Sequence, residues 1–509
     1  MTRTEQSFRN LNFVLLLRVG SAVISFFSRK VFIQMLAREY LGLNGVFSSI
    51  LSMLNLTELG IGTAIVYSLY KPLADHEHEQ AAALMALYRR AYRTIGSVIG
   101  LLGTALTPFL PILIRDMPDI PHIEGIYLLF VLNTSLSYFF SYRQTLLYAD
   151  QRQYINSICE LVTQVLLQLA QMLFLWLTGN YFVFLGLGIG AGLLKNLVLL
   201  KITDRLYPYV ASGQKERVMP ETRAAIVRNA KAMIVHKLRN MMVFGTDNLL
   251  ISFFTGIVNV GLYSNYHMVT GMLHNTYTQA FSSLVSSIGN LTATADNERV
   301  LPVFYRLNFV GSWLYGFSTV CLIVLLNPFI ELWLGADFLF SQVDVCLISL
   351  NFYLTGMRQA TVSFRSAYGL YWYDRYSPIA EALINLVASI VLAVPLGISG
   401  IFLGTLISTV TTCLWIQPVM LFRHGLKAPV WPYFQRYAVN TVVTVLTTAA
   451  VWGICTALPG AGLLRFIMQM TVCAVVGNLG FLLTYHRGKE FRYFTQLMMN
   501  QLIKRRKKL

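Results

Sequence analysis

Acidic residues are scarce in this chain: 23 Asp and Glu stand against 40 Lys and Arg, and charged residues of both signs fill only 12% of 509 positions. A soluble protein of this size carries roughly 25%. Length alone would allow several soluble domains, but this composition excludes them. Cysteine is scarce too. The six (Cys159, Cys321, Cys346, Cys413, Cys455 and Cys473) are far apart in sequence and sit in apolar segments. They offer no metal-ligand spacing and read as small buried hydrophobes. The glycine-rich phosphate loop of nucleotide hydrolases is missing, which argues against ATP hydrolysis by this chain. Large loops are missing as well, so a catalytic domain has nowhere to sit, and no residue is singled out as catalytic.

What the chain does have is apolar sequence: 55% hydrophobic residues and a mean hydropathy of +0.57. The apolar residues come in blocks of about 20, the length that crosses a hydrocarbon core of about 30 Å. Inside a bilayer every backbone polar group must be satisfied within its own segment, so such blocks are helices. The expected fold is an all-α integral membrane protein of about fourteen transmembrane helices. They fall at 11–36, 43–70, 94–114, 125–148, 154–178, 182–203, 231–256, 260–290, 307–327, 342–366, 377–396, 400–421, 434–457 and 463–485. The first block is too long for a signal h-region of about 7–15 residues and is expected to stay as a membrane helix.

Positive charge is segregated. One set of loops carries Lys71, Arg89, Arg90, Arg93, Arg143, Arg152, Lys201, Arg205, Lys215, Arg217, Arg223 and Arg228, and later Arg299, Arg306, Arg375, Arg423, Lys427 and Arg436. The tail adds Arg487, Lys489, Arg492 and the run Lys504-Arg505-Arg506-Lys507-Lys508, whereas the opposite loops hold little beyond Arg38, Arg115 and Arg465. Cationic loops stay in the cytoplasm, so both termini are expected inside, in a multi-pass bacterial cytoplasmic membrane protein. This asymmetry explains most of the net charge of +17, and a nucleic-acid partner is not needed to account for it. The tail run reads either as a contact with anionic lipid headgroups or as a plain topology signal.

The expected organisation is an N-lobe at 1–203, a cytoplasmic linker at 204–230, a C-lobe at 231–421, two extra helices at 422–485 and a basic cytoplasmic tail at 486–509. A short internal repeat spans the linker. Glu39-Tyr-Leu-Gly-Leu-Asn-Gly-Val-Phe47 matches Val258-Asn-Val-Gly-Leu-Tyr-Ser-Asn-Tyr266, with Gly42-Leu43 on Gly261-Leu262. Repeated halves around a central site are a recurring transporter plan.

The stretch SRKVFIQMLAREYLGLNGVFSSILSMLNLTELGIGTAIVYSLYKPLA, from Ser28 to Ala74, resembles the first hairpin of bacterial polysaccharide-repeat-unit flippases. ALYRRAYR, Ala86 to Arg93, and the half-repeat near Gly261 fit the same pattern. These flippases are the polysaccharide transporter family of the multidrug/oligosaccharidyl-lipid/polysaccharide exporter superfamily. The resemblance is strongest over roughly the first 300 of the 509 residues and is carried later by topology. It implies two pseudo-symmetric six-helix lobes plus two C-terminal helices around a central cavity. It implies alternating access for a polyprenyl-pyrophosphate oligosaccharide, carried from inner to outer leaflet for capsular or exopolysaccharide assembly. Membrane lipids, a polysaccharide polymerase and glycosyltransferases are the implied partners. A lipid II flippase and a MATE-type cation-coupled exporter are the neighbouring alternatives, and a membrane polysaccharide polymerase or ligase is a remote one.

Ionisable residues inside membrane helices cost at least about 2.5–3.5 kcal/mol and therefore face a cavity or a partner. The first helix carries Arg18, Arg29 and Lys30. Arg18, Ser25 and Arg29 fall within roughly 20° on one stripe, and Lys30 points elsewhere. The seventh helix carries His236, Lys237, Arg239 and Asp247; the tenth carries Arg358 and Arg365. One reading has Arg18, Arg29, Lys30, Lys237, Arg239, Arg358 and Arg365 lining a wet cavity that grips pyrophosphate, for which Arg offers bidentate geometry. The other has the cations near helix ends snorkelling to headgroups. Glu58, His236, Asp247 and Glu381 are the candidates for proton or sodium coupling. No cofactor and no metal site is expected. For Glu58 and Lys195 the plainer reading is a charged pair bridging helices.

Overall fold

Each apolar block forms helix wherever the computed structural model describes it, over residues 20–58, 61–114, 117–150, 152–211 and 246–506. No strand occurs among the described residues. Eight described helices are long and apolar enough to cross a membrane, or nine if one bent pair counts as a single span. The all-α plan is the observed one and fits about fourteen spans, several of them broken into two pieces; residues 11–19 of the first expected span and 231–245 of the seventh lie outside the described residues. Packing divides the chain into two units, Met1–Gly261 and Leu262–Leu509.

In the first unit, α1 covers residues 20–35. The second expected span is two helices, α2 (Arg38–Leu54) and α3 (Ile61–Ala74), with a 3-10 turn at Asn55–Glu58 between them. The turn directs Glu58 inward, and Gly62 makes room for it: a Cβ there would stand 2.6 Å from Glu58 Oε1 and 2.7 Å from the Tyr92 hydroxyl. Next comes α4 (His78–Ala105). It bends by 41° into the short helical run Thr107–Leu113, where Pro108 and Pro111 remove backbone donors. Then follow α5 (Ile123–Ser141), α6 (Gln153–Thr178) and α7 (Tyr181–Leu206). Gly179 ends α6 in the left-handed region at φ 59°, the usual glycine stop. Asn180 starts α7 by accepting a hydrogen bond from the Phe182 amide at 2.8 Å. Helix α8 (Asp247–Thr255) turns at Gly256 into α9 (Ile257–Ser283).

The short repeat has a physical counterpart in this unit. A Cβ on Gly42 would overlap the carbonyl oxygen of Ile257, and one on Gly261 would stand 2.8 Å from the carbonyl oxygen of Arg38. The sequence offset is the same in both directions, since 261 − 42 = 257 − 38 = 219. The two glycine turns therefore cross reciprocally: each glycine meets the backbone of the residue four positions before the other.

The second unit begins within α9 and continues with α10 (Asn297–Leu334), whose 38 residues give about 57 Å of helix. Helix α11 (Gln342–Met357) breaks at Arg358 before α12 (Gln359–Tyr368). Then come α13 (Ser377–Leu396), at the expected bounds, and α14 (Ile398–Thr411). Gly400 and Gly404 bring α14 against the backbone of Leu392 and Ser389. Helices α15 (Trp431–Thr456) and α16 (Gly462–Val472) follow, the latter running on through a π-turn at Cys473–Gly477 to Tyr485. The tail is itself a helix, α17 (Lys489–Arg506). Its first turns are docked by Phe491 stacked on Trp313, by Tyr493 under the Arg306 guanidinium at 3.6 Å and by Glu490 against Arg436 at 2.6 Å.

Candidate functional site

The first unit holds an extended polar interior. Tyr92 donates to Glu58 Oε1 at 2.5 Å. Tyr88 stacks edge-on to Tyr92 and accepts from Thr145 at 3.2 Å. Beside them lies a cavity of about 460 Å³ lined by Asn55, Glu58, Asn133, Ser137, Tyr138 and Ser141. Every side chain on that list carries a hydroxyl, amide or carboxylate, so the space suits water, a proton relay or a small cation rather than an apolar ligand.

A second polar surface runs along α1, α6 and α7. Gln168 donates to Ser25 of α1 at 2.8 Å. Arg29 lies one turn beyond Ser25 and is half-buried, whereas Lys30 is exposed, in keeping with their different faces. Lys195 of α7 faces Glu160 of α6 at 3.8 Å. The Lys195 pairing is the bridging ion pair of the plainer reading, although Glu160 drew no attention in the sequence. Asp247 opens α8 and is half-buried. Arg18, His236, Lys237 and Arg239 lie outside the described residues.

In the second unit, two candidates of opposite assigned role form one ion pair. Arg358 and Glu381 are 5% and 1% exposed, with Arg358 Nη1 at 3.6 Å from Glu381 Oε1. Cys413 donates to Glu381 Oε2 at 2.9 Å, and Gln417 donates to that sulfur at 3.4 Å. Arg365 is equally buried and meets Asp374 at 3.1 Å. Here the two arginines do not stand open on one face of one helix. The helix breaks at Arg358, and each cation turns to its own carboxylate within the packed unit. The residue missed in the sequence was Asp374, which lies outside the expected spans, in the aromatic turn between Leu370 and Tyr376.

Outside the spans, Glu490 has a shifted titration. Burial alone would raise it, but the hydrogen bond and charge of Arg436 prevail and hold the carboxyl below its ordinary value.

The sequence matches no protein-family model and no curated protein. Its structure is similar to that of the lipid II flippase MurJ in an inward closed conformation, with a TM-score of 0.67 at 15% identity, covering 93% of this chain and 99% of that one. It is similar to an inward-facing multidrug resistance MATE family transporter of the MOP superfamily, with a TM-score of 0.60 at 12% identity, over 80% and 95% of the two chains. A point mutant of the Vibrio cholerae MATE transporter VcmN gives 0.59 at 14% identity, over 83% and 98%. These neighbours are transporters and a flippase, not enzymes. The chain therefore has the multi-pass helical fold that a lipid II flippase shares with MATE transporters.

Proposed function

We propose that this chain flips a polyprenyl-pyrophosphate-linked oligosaccharide repeat unit from the inner to the outer leaflet of the bacterial cytoplasmic membrane, with both termini in the cytoplasm. The observation that carries the reading is its likeness, over 93% of its length, to a protein that flips a lipid. The surplus of cations over carboxylates within the expected membrane helices favours an anionic cargo over the cationic drugs of a multidrug exporter. The Ser28–Ala74 hairpin favours the polysaccharide branch. In this reading Arg18, Arg29, Lys30, Lys237 and Arg239 attract the pyrophosphate. Arg358 and Arg365 join them only if their acidic partners let go during the transport cycle. The polyprenyl tail stays in lipid, because withdrawing it would cost about 0.8 kcal/mol per CH₂. Glu58 is the foremost candidate for proton or sodium coupling, since it combines a carboxylate, a hydroxyl donor and an adjoining polar cavity.

Deletion of the protein is expected to leave lipid-linked oligosaccharide on the inner leaflet, and the wild-type chain is expected to clear it. Deletion without such accumulation would refute the reading. A second reading, a lipid II flippase, is favoured by the likeness to MurJ. It predicts that this chain sustains growth when the cell's own lipid II flippase is depleted.

A further inference from the structure

Helix α6 has two opposite faces. Ile158, Val162, Leu166, Leu169 and Leu173 are exposed on one side, as a lipid-facing surface should be. Asn156, Glu160, Gln164, Gln168 and Gln171 occupy the other. Their spacings of four, four, four and three residues keep them within an arc of roughly 120° at about 100° per residue. Polar side chains in a membrane span face protein or water rather than acyl chains.

The ends of the polar stripe are closed by protein. Asn156 and Gln171 are buried, and Gln171 donates to the Phe184 carbonyl at 3.0 Å. The middle is open. Glu160 is 60% exposed, and its 3.8 Å approach to Lys195 is too long for a hydrogen bond. Gln164, one turn on, is exposed as well. Asn156 Oδ1 and Gln168 Oε1 are buried without a hydrogen-bond partner among the described residues. These two amides flank the open stretch, with hydrogen-bonding capacity left unspent.

The chemistry of the stripe is specific. Glu160 and Lys195 cancel in charge, and the remaining groups are amides that both donate and accept. A phosphate, which only accepts, would gain little here and would be repelled by Glu160. Sugar hydroxyls donate and accept, and match the exposed Glu160 carboxylate and Gln164 amide together with the Lys195 ammonium. We infer that the open middle of this stripe, Glu160 and Gln164 flanked by Gln168 and Lys195, contacts the hydroxyls of the cargo's sugar and takes no part in holding its pyrophosphate. This rests on the proposed function.

The test is binding of two labelled lipids to the full-length protein in lipid nanodiscs: a polyprenyl-pyrophosphate oligosaccharide, and polyprenyl pyrophosphate without sugar. Gln164→Leu and Glu160→Leu are each expected to weaken the first roughly tenfold, the effect of one or two lost hydrogen bonds, and to leave the second unchanged. Retained binding of the sugar-free lipid shows that a variant is folded. Gln164→Asn, which keeps the amide, should lose less than Gln164→Leu. If the variants weaken both lipids alike, or neither, the inference is overturned while the parent reading stands. A wild-type protein that binds neither lipid refutes the parent reading and this inference with it.

Discussion

Removing the Glu381 carboxylate should destabilise the second unit far more than removing the whole Arg358–Glu381 pair. The charges stand 3.6 Å apart with both side chains buried. At an effective dielectric of about 20 their attraction is roughly 5 kcal/mol before desolvation is counted. Glu381→Leu leaves a guanidinium inside the protein, and such a change costs about 3–5 kcal/mol. Arg358→Met with Glu381→Leu removes both charges, and replacements of that kind are neutral or stabilising in many proteins. The geometry favours that outcome here, because Arg358 Nε and Nη1 make no hydrogen bond among the described residues. Thermal unfolding of the purified protein in detergent, run as a double-mutant cycle, reads the difference. Losses in the double variant that match the sum of the two single variants would show that the pair is not coupled. Transport by the stable double variant then decides its role: retained export makes the pair structural, and lost export makes Arg358 part of the cargo path.

Two further outcomes follow from particular contacts. Gly42→Ala should cost about 1–3 kcal/mol, because the new methyl meets the Ile257 backbone and cannot be accommodated by a rotamer change; Gly186→Ala, with nothing within 4 Å, should be neutral or better. A Gly42→Ala protein that unfolds with the wild type would refute the close crossing. Docking of α17 should depend on acid in one direction only. The folded Glu490 carboxyl titrates below its unfolded value, so its contribution is full above about pH 4.3 and is lost as pH falls through the folded value. The protection of α17 amides against hydrogen exchange, taken relative to their intrinsic rates at each pH, should therefore be constant from neutral pH down to that point and smaller below it. Release near neutral pH would contradict the assignment.

Helix number and placement were legible in the sequence, because a bilayer forces each apolar block to satisfy its own backbone. The span at 377–396 is observed as Ser377–Leu396. Breaks within spans were not legible: Asn55–Glu58 and Arg358-Gln359 are short polar interruptions, which sequence alone does not tell apart from polar residues in an unbroken helix. The tail read only as a basic cytoplasmic segment; that it is a helix docked on Trp313, Arg306 and Arg436 was not legible, because those partners lie far away in the chain. Charge type was legible but charge pairing was not. Arg358 and Glu381 are 23 residues apart (381 − 358) and were assigned opposite duties. Glu160 escaped notice because its partner, Lys195, lies on the next helix.

That last pairing bears on how the chain enters the membrane. Glu160 and Lys195 sit on consecutive helices joined only by Gly179 and Asn180. A lone carboxylate or ammonium within a membrane span opposes insertion, and Glu160 finds its counterion in the segment made next, Lys195 in the one made just before. The two helices are thus suited to leave the translocon together as a hairpin. Glycosylation mapping of nascent chains should find Gln153–Thr178 less firmly inserted when Lys195 is replaced by Glu than when it is unchanged.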